Sequence, residues 1–225
     1  MNFVKCRINY VEDIKRTVLV TSGKEKAMQL FLARCLRNEV ASLHPHIYCS
    51  PQRKTSRLIH TILKTRFDGM YWGACDIKQA YLNVDNLKVI KELKRAGLPG
   101  YIAKYMGLEK LKVTNSKIAH RGLPQGFNTS QYLYNLYINP IIKKMNRSSR
   151  WQVYVYVDDI FWCARTRKNA RECRRILRRS LERYGYKGRQ MSFSEKEQKM
   201  SFIASPHEEF KALGFKFNPI GVEYA

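Results

Sequence analysis

Acidic residues are scarce in this sequence: 18 Asp and Glu face 42 Lys and Arg, a net charge of +24. An excess of that size is far more than solubility requires. It calls for a polyanion nearby, and nucleic acid is the common one, because each neutralised phosphate releases condensed counterions. No basic amphipathic helix with an aromatic lipid-facing side stands out, which argues against a membrane partner. Long apolar runs are missing as well, and none approaches the roughly 20 residues that span a bilayer. Met1 to Tyr10 holds scattered charge and no apolar h-region, so no secretory signal is expected. The expectation is an intracellular protein, cytoplasmic or organellar (mitochondrial). Cysteine is sparse and unpaired in pattern: Cys6, Cys35, Cys49, Cys75, Cys163 and Cys173 form no C-x-x-C. They read as buried thiols rather than zinc ligands. Internal repeats and Pro-, Gly- or Ser-rich linkers are also absent.

What is present is an ordinary apolar content, 44% over 225 residues, enough for one domain or a domain with a small subdomain. Periodicity predicts a helix over Gly23 to Val40, with Ala27, Leu30, Phe31 and Cys35 as its apolar side. A break at His44-Pro45-His46 and a short helix from Arg57 to Lys64 follow. The first 70 residues therefore read as mostly helical. From Tyr71 the pattern changes to a buried strand ending near Asp76. Helices are predicted at Asn86 to Ala96 and at Thr129 to Met145, the latter with Pro140 as a possible kink. Trp151 to Trp162 reads as a hairpin broken at Asp158-Asp159. A strongly basic helix spans Asn169 to Tyr184, with Cys173, Leu177, Leu181 and Tyr184 inside, and a final hairpin covers Phe210 to Phe217. The order builds an α+β fold, an antiparallel sheet with helices on one face.

Two Asp residues on a tight turn between apolar strands resist joint ionisation unless something positive compensates them. A divalent metal is the natural compensator, and magnesium favours hard oxygen ligands while keeping waters and phosphates in its shell. Asp76, at the end of a neighbouring strand, would complete a site for two Mg2+ ions and in-line nucleotidyl transfer.

The flanking residues sharpen this. Tyr156-Val157-Asp158-Asp159 resembles the Y-x-D-D motif of reverse transcriptases. Asp76-Ile77-Lys78-Gln79-Ala80-Tyr81 resembles the first palm motif of that family, and Leu123-Pro124-Gln125-Gly126 its L-P-Q-G motif. Ser194-Glu195-Lys196 and Phe210 to Phe215 look like its later motifs. The resemblance runs from about Tyr71 to Pro219 and implies a polymerase palm over 71–225, with a reduced, mostly helical fingers-like part over 1–70. It implies catalysis by Asp76, Asp158, Asp159 and Lys196, the last as a proton donor. It places Tyr81 under the incoming sugar, where its ring excludes a 2′-hydroxyl, and Gln125 and Gly126 near the nascent base pair. Arg53 and Arg57 are candidates for the triphosphate by charge. Arg171, Arg174, Arg175, Arg178 and Arg179, at helical spacing on the basic helix, are candidates for RNA.

No convincing basic fingers hairpin is read in the first 70 residues, and the residues after Pro219 are too few for a helical thumb. Other chains of a ribonucleoprotein are therefore expected to supply that grip. The resulting expectation is an RNA-directed DNA polymerase core. The alternative is an RNA-binding structural component derived from one, in a particle such as an organellar ribosome. An RNA-dependent RNA polymerase is a weaker rival, since Tyr81 opposes it.

Overall fold

The computed structural model describes residues 4–11, 16–39, 43–48, 54–98, 111–113, 122–185 and 203–224. The chain forms two compact units, each assembled from several segments. One comprises Met1–Leu43, Gln79–Ile138 and Gly185–Gln190, and the other His44–Lys78, Asn139–Tyr184 and Met191–Ala225.

In the first unit, β1 (Val4–Val11) and β2 (Arg16–Val20) form an antiparallel hairpin, and β5 (Leu111–Val113) joins β1 in parallel. Helices α1 (Gly23–Glu39, 17 residues) and α2 (Thr55–Phe67, 13 residues) keep the N-terminal part mostly helical, as expected, and this hairpin is an element that the periodicity reading did not place. Val4, Cys6, Ile8 and Tyr10 alternate with Lys5, Arg7 and Asn9, the period-2 pattern of a strand. Helix α1 (Gly23–Glu39) follows. Its buried residues are Gln29, Leu32, Ala33 and Leu36, whereas Leu30 and Phe31 are exposed. The expected apolar side is therefore turned away from the core. Both stripes hold apolar residues at i, i+3 and i+4 spacing, so periodicity alone does not choose between them. Helix α3 (Asn86–Arg95) begins at Asp85, whose carboxylate accepts from the Leu87 N–H at 3.0 Å as an N-cap does. Helix α4 (Ser130–Met145) continues through Pro140.

The second unit is built on a mixed five-stranded sheet. Its order is β3 (Ile47–Tyr48), β6 (Trp151–Tyr156), β7 (Asp159–Ala164), β4 (Tyr71–Asp76) and β8 (Ile203–Ala204). All pairings are antiparallel except β3 with β6, so the expected antiparallel sheet carries one parallel edge strand. Residues Ile160 to Ala164 of β7 are all buried. Since side chains alternate along a strand, both faces of the sheet are covered there.

Helix α2 (Thr55–Phe67) contributes Leu58 and Ile62 to a core with Trp72, Tyr154, Phe161 and Cys163. Trp72 stacks on Tyr154 at 5.5 Å, and its indole N–H donates to Thr65 at 3.0 Å. Gly73 lies opposite Trp162, where an added Cβ would come within 2.3 Å of the indole ring. Helix α5 (Arg167–Glu182) packs on β4, β6, β7 and β8 through Ala170, Cys173, Leu177 and Leu181. Strands β9 (Phe210–Ala212), β10 (Phe215–Asn218) and β11 (Gly221–Tyr224) form a separate antiparallel sheet, from which Phe210 and Phe217 join the α2 core.

Candidate active site

The β6–β7 connection is a two-residue turn, Val157-Asp158, since Tyr156 pairs with Asp159. Val157 sits at φ 55°, a left-handed conformation that costs a β-branched residue about 1–2 kcal/mol. Strain of this kind persists where the surrounding ladder over-determines it. Here the ladder fixes the register on both sides. Asp159 also pairs directly with Asp76 of β4, and the Ile77 N–H donates to the Asp158 carbonyl at 3.3 Å. Three carboxylates are thereby brought to one end of one sheet, each half-buried.

Directly opposed residues project on the same face with Cβ atoms about 4.5–5.5 Å apart, and like charges there repel. Among the described residues, no three or more His, Cys, Asp or Glu side chains are gathered closely enough to hold a metal unaided. The donor set nevertheless suits magnesium, which binds through one or two carboxylates and takes its other ligands from water and phosphate. The half-exposed position of these groups leaves room for such ligands.

The remaining candidates divide by location. Tyr81, half-buried in the first unit, stacks on Tyr134 of α4 with ring centroids 5.2 Å apart. Its carbonyl accepts from the Leu123 N–H at 2.8 Å, which ties Tyr81 to the Leu123-Pro124-Gln125-Gly126 loop. Gly122 makes this approach possible: at φ 67°, an added Cβ would lie 2.2 Å from the Tyr81 carbonyl oxygen. Gln125 is half-buried and Gly126 is exposed at φ 100°. Just beyond them, a cavity of about 440 Å³ is lined by Arg34 and Arg37 of α1 with Phe127, Gln131 and Tyr132. Tyr134 and this Arg pair were not singled out in the sequence. Their signal is helical spacing, which core and surface residues share.

Arg57 is exposed on α2. Arg53 and Lys196 lie outside the described residues. On α5, Arg171, Arg175, Arg178 and Arg179 are exposed and Arg174 is half-buried, opposite the buried stripe. Arg178 pairs with Glu182 at 2.8 Å. Tyr184, expected inside the helix, follows its cap and is half-buried. The thiols beneath are chemically quiet: burial pushes Cys163 up to about 12 and raises Cys173 further, so neither is a nucleophile near neutral pH.

An α+β sheet with paired aspartates on a central hairpin turn, and a third at the adjacent strand end, is a polymerase palm. The profile of the family described as reverse transcriptase (RNA-dependent DNA polymerase) matches residues 14–217. This chain belongs to that family, and it carries a polymerase core of the reverse transcriptase type.

Solved telomerase structures share the fold. Apo telomerase from Candida tropicalis superposes with a TM-score of 0.68 at 11% identity, covering 99% of this chain and 48% of that one. The Candida tropicalis enzyme in complex with a TWJ fragment of telomeric RNA gives 0.73 at 11% identity, covering 99% and 45%. The corresponding Candida albicans complex gives 0.67 at 11%, covering 99% and 46%. The chain thus spans about half the length of the solved structures it matches. No curated protein sequence matches it significantly.

Proposed function

We propose that this chain is the catalytic core of an RNA-directed DNA polymerase, with Asp76, Asp158 and Asp159 as ligands for two magnesium ions. The observation that carries the reading is the register that sets Asp76 opposite Asp159, with Asp158 beside it in a strained turn. Two opposed carboxylates held by a ladder are unfavourable alone and favourable around a cation. Asp76, Asp158 and Asp159 would hold the ions there, which would lower the pKa of an attacking hydroxyl and neutralise charge on the triphosphate leaving group.

The other residues bind and orient. Tyr81, backed by Tyr134, presents a ring against the sugar of the incoming nucleotide and favours the deoxy form. Gln125 and Gly126 lie along the nascent base pair, where the glycine permits close approach. Arg34 and Arg37 beside Tyr132 suit a phosphate next to a stacked base of the template strand. Arg53 and Arg57 neutralise the triphosphate, and Lys196 donates a proton to it. The α5 arginines bind RNA phosphates, to which guanidinium groups donate paired hydrogen bonds. Telomerase from two Candida species is solved with an RNA fragment, and RNA is the polyanion that best accounts for the +24 charge here. Other chains of a ribonucleoprotein complete the grip on the duplex.

Primer extension on an RNA template with magnesium tests this. The wild type should incorporate deoxynucleotides, and Asp158→Asn with Asp159→Asn should lower the rate about 1,000-fold or more, the order expected when charge stabilisation of a transition state is removed. Equal rates would overturn the proposal, and preferred use of ribonucleotides would favour an RNA polymerase. The second reading, an RNA-binding structural component, is favoured by the exposed arginine ridge of α5. RNA binding without extension would establish it.

A further inference from the structure

We propose a second binding site at Arg66, one that takes the carboxylate of an acidic peptide segment presented by a partner protein. Arg66 lies on α2 with only 6% of its surface exposed. Its Nη2 donates to the carbonyl of Pro206 at 3.2 Å and to that of Glu208. Its Nε and Nη1 are buried without a hydrogen-bond partner. The neighbouring carboxylate does not fill that role, because Glu208 instead accepts from the Ser205 N–H at 2.7 Å. A guanidinium cannot shed its charge near neutral pH, so the fold buries a cation that is only half satisfied. Such a group destabilises the free protein and is compensated when an anion arrives. Burial pulls the Arg66 pKa below its usual value, and the attraction of the Glu208 carboxylate opposes this.

Arg66 lines a cavity of about 160 Å³ together with Leu63, Phe67, Pro206, His207, Asn218 and Pro219. That space accepts a side chain, and its apolar walls suit the stem that carries the carboxylate. The rim identifies the source. Phe67 is 70% exposed, and Ile220, next to Pro219, is 92% exposed. An apolar rim around one desolvated arginine matches the centre of a protein interface, rather than the open basic surface that a nucleic-acid strand tracks. A second copy of the chain is disfavoured, since each copy carries +24 and like net charge opposes association. An acidic partner fits both the charge and the rim.

The test is fluorescence polarisation at physiological salt with a labelled peptide of alternating Glu and Leu, its Gln counterpart, and oligo(U) as competitor. The acidic peptide should bind the wild type at least about tenfold more tightly than the Gln peptide. Arg66→Met should abolish that advantage, and Phe67→Ser, at an exposed wall position, should weaken binding about threefold or more. Lys64→Gln, an exposed cation elsewhere on α2, should change little. If Arg66→Met does not fold, Phe67→Ser decides alone. Acidic-peptide binding unchanged in Phe67→Ser would overturn the site, because the peptide would then be coating the basic surface. Displacement of the peptide by oligo(U) from the wild type but not from Phe67→Ser would also overturn it, by making nucleic acid the occupant.

Discussion

The loop after Gly122 and the turn at Val157-Asp158 each hold a residue in the left-handed region, and they do so with opposite residue types. At Gly122, φ 67° comes with a backbone oxygen 2.2 Å from where a Cβ would sit. Only glycine fits, and the reason is steric. At Val157, φ 55° is held by a β-branched side chain where glycine would be easier. The turn keeps its conformation because the ladders on either side of it, with Asp159 opposite Tyr156 and Asp76, leave no alternative. Close backbone approach governs the loop, and the position of the carboxylates governs the turn.

Two substitutions sharpen that contrast. Gly122→Ala should have the larger effect, a loss of about 2–4 kcal/mol, from the left-handed penalty plus overpacking against Tyr81. In thermal unfolding this is a fall of roughly 5–15 °C for a chain of this size. Val157→Gly should change stability by less than about 1 kcal/mol, because relief of strain is offset by greater freedom of the unfolded chain. Urea titration of both variants separates the two cases. A Val157→Gly loss as large as that of Gly122→Ala would mean that valine packing, rather than the paired strands, holds the turn.

Much of the second unit was legible in the sequence because its signals are local. The aspartate hairpin is flanked by Val153, Val155, Ile160 and Trp162, and the α5 stripe of Cys173, Leu177 and Leu181 is buried as its spacing predicts. Even there the turn lies one residue earlier than the break suggests, since Asp159 already belongs to the ladder. Short non-local pairings left no such mark. Strand β3 is two residues long and pairs with a strand about 100 positions away, and β5 is three residues long. The β1–β2 hairpin did carry a period-2 pattern, but its frequent charges made it resemble an exposed segment. On α1, apolar residues on both stripes hid which side faces inward. Arg66 was unreadable for a simpler reason: a basic residue on an amphipathic helix is normally solvated, and burial here depends on the 206–208 segment, 140 positions away.

The central claim is that Asp76 and the turn aspartates form one metal site, and thermal unfolding across a magnesium titration tests it directly. Ligand bound only to the folded state raises stability by about 1.4 kcal/mol at tenfold excess over Kd, a rise in Tm of roughly 3–6 °C. With magnesium, the wild type should rise by that amount while Asp76→Asn stays nearly flat. Parallel rises in the two proteins would contradict the account, since the ion would then be binding somewhere other than between Asp76 and the hairpin turn.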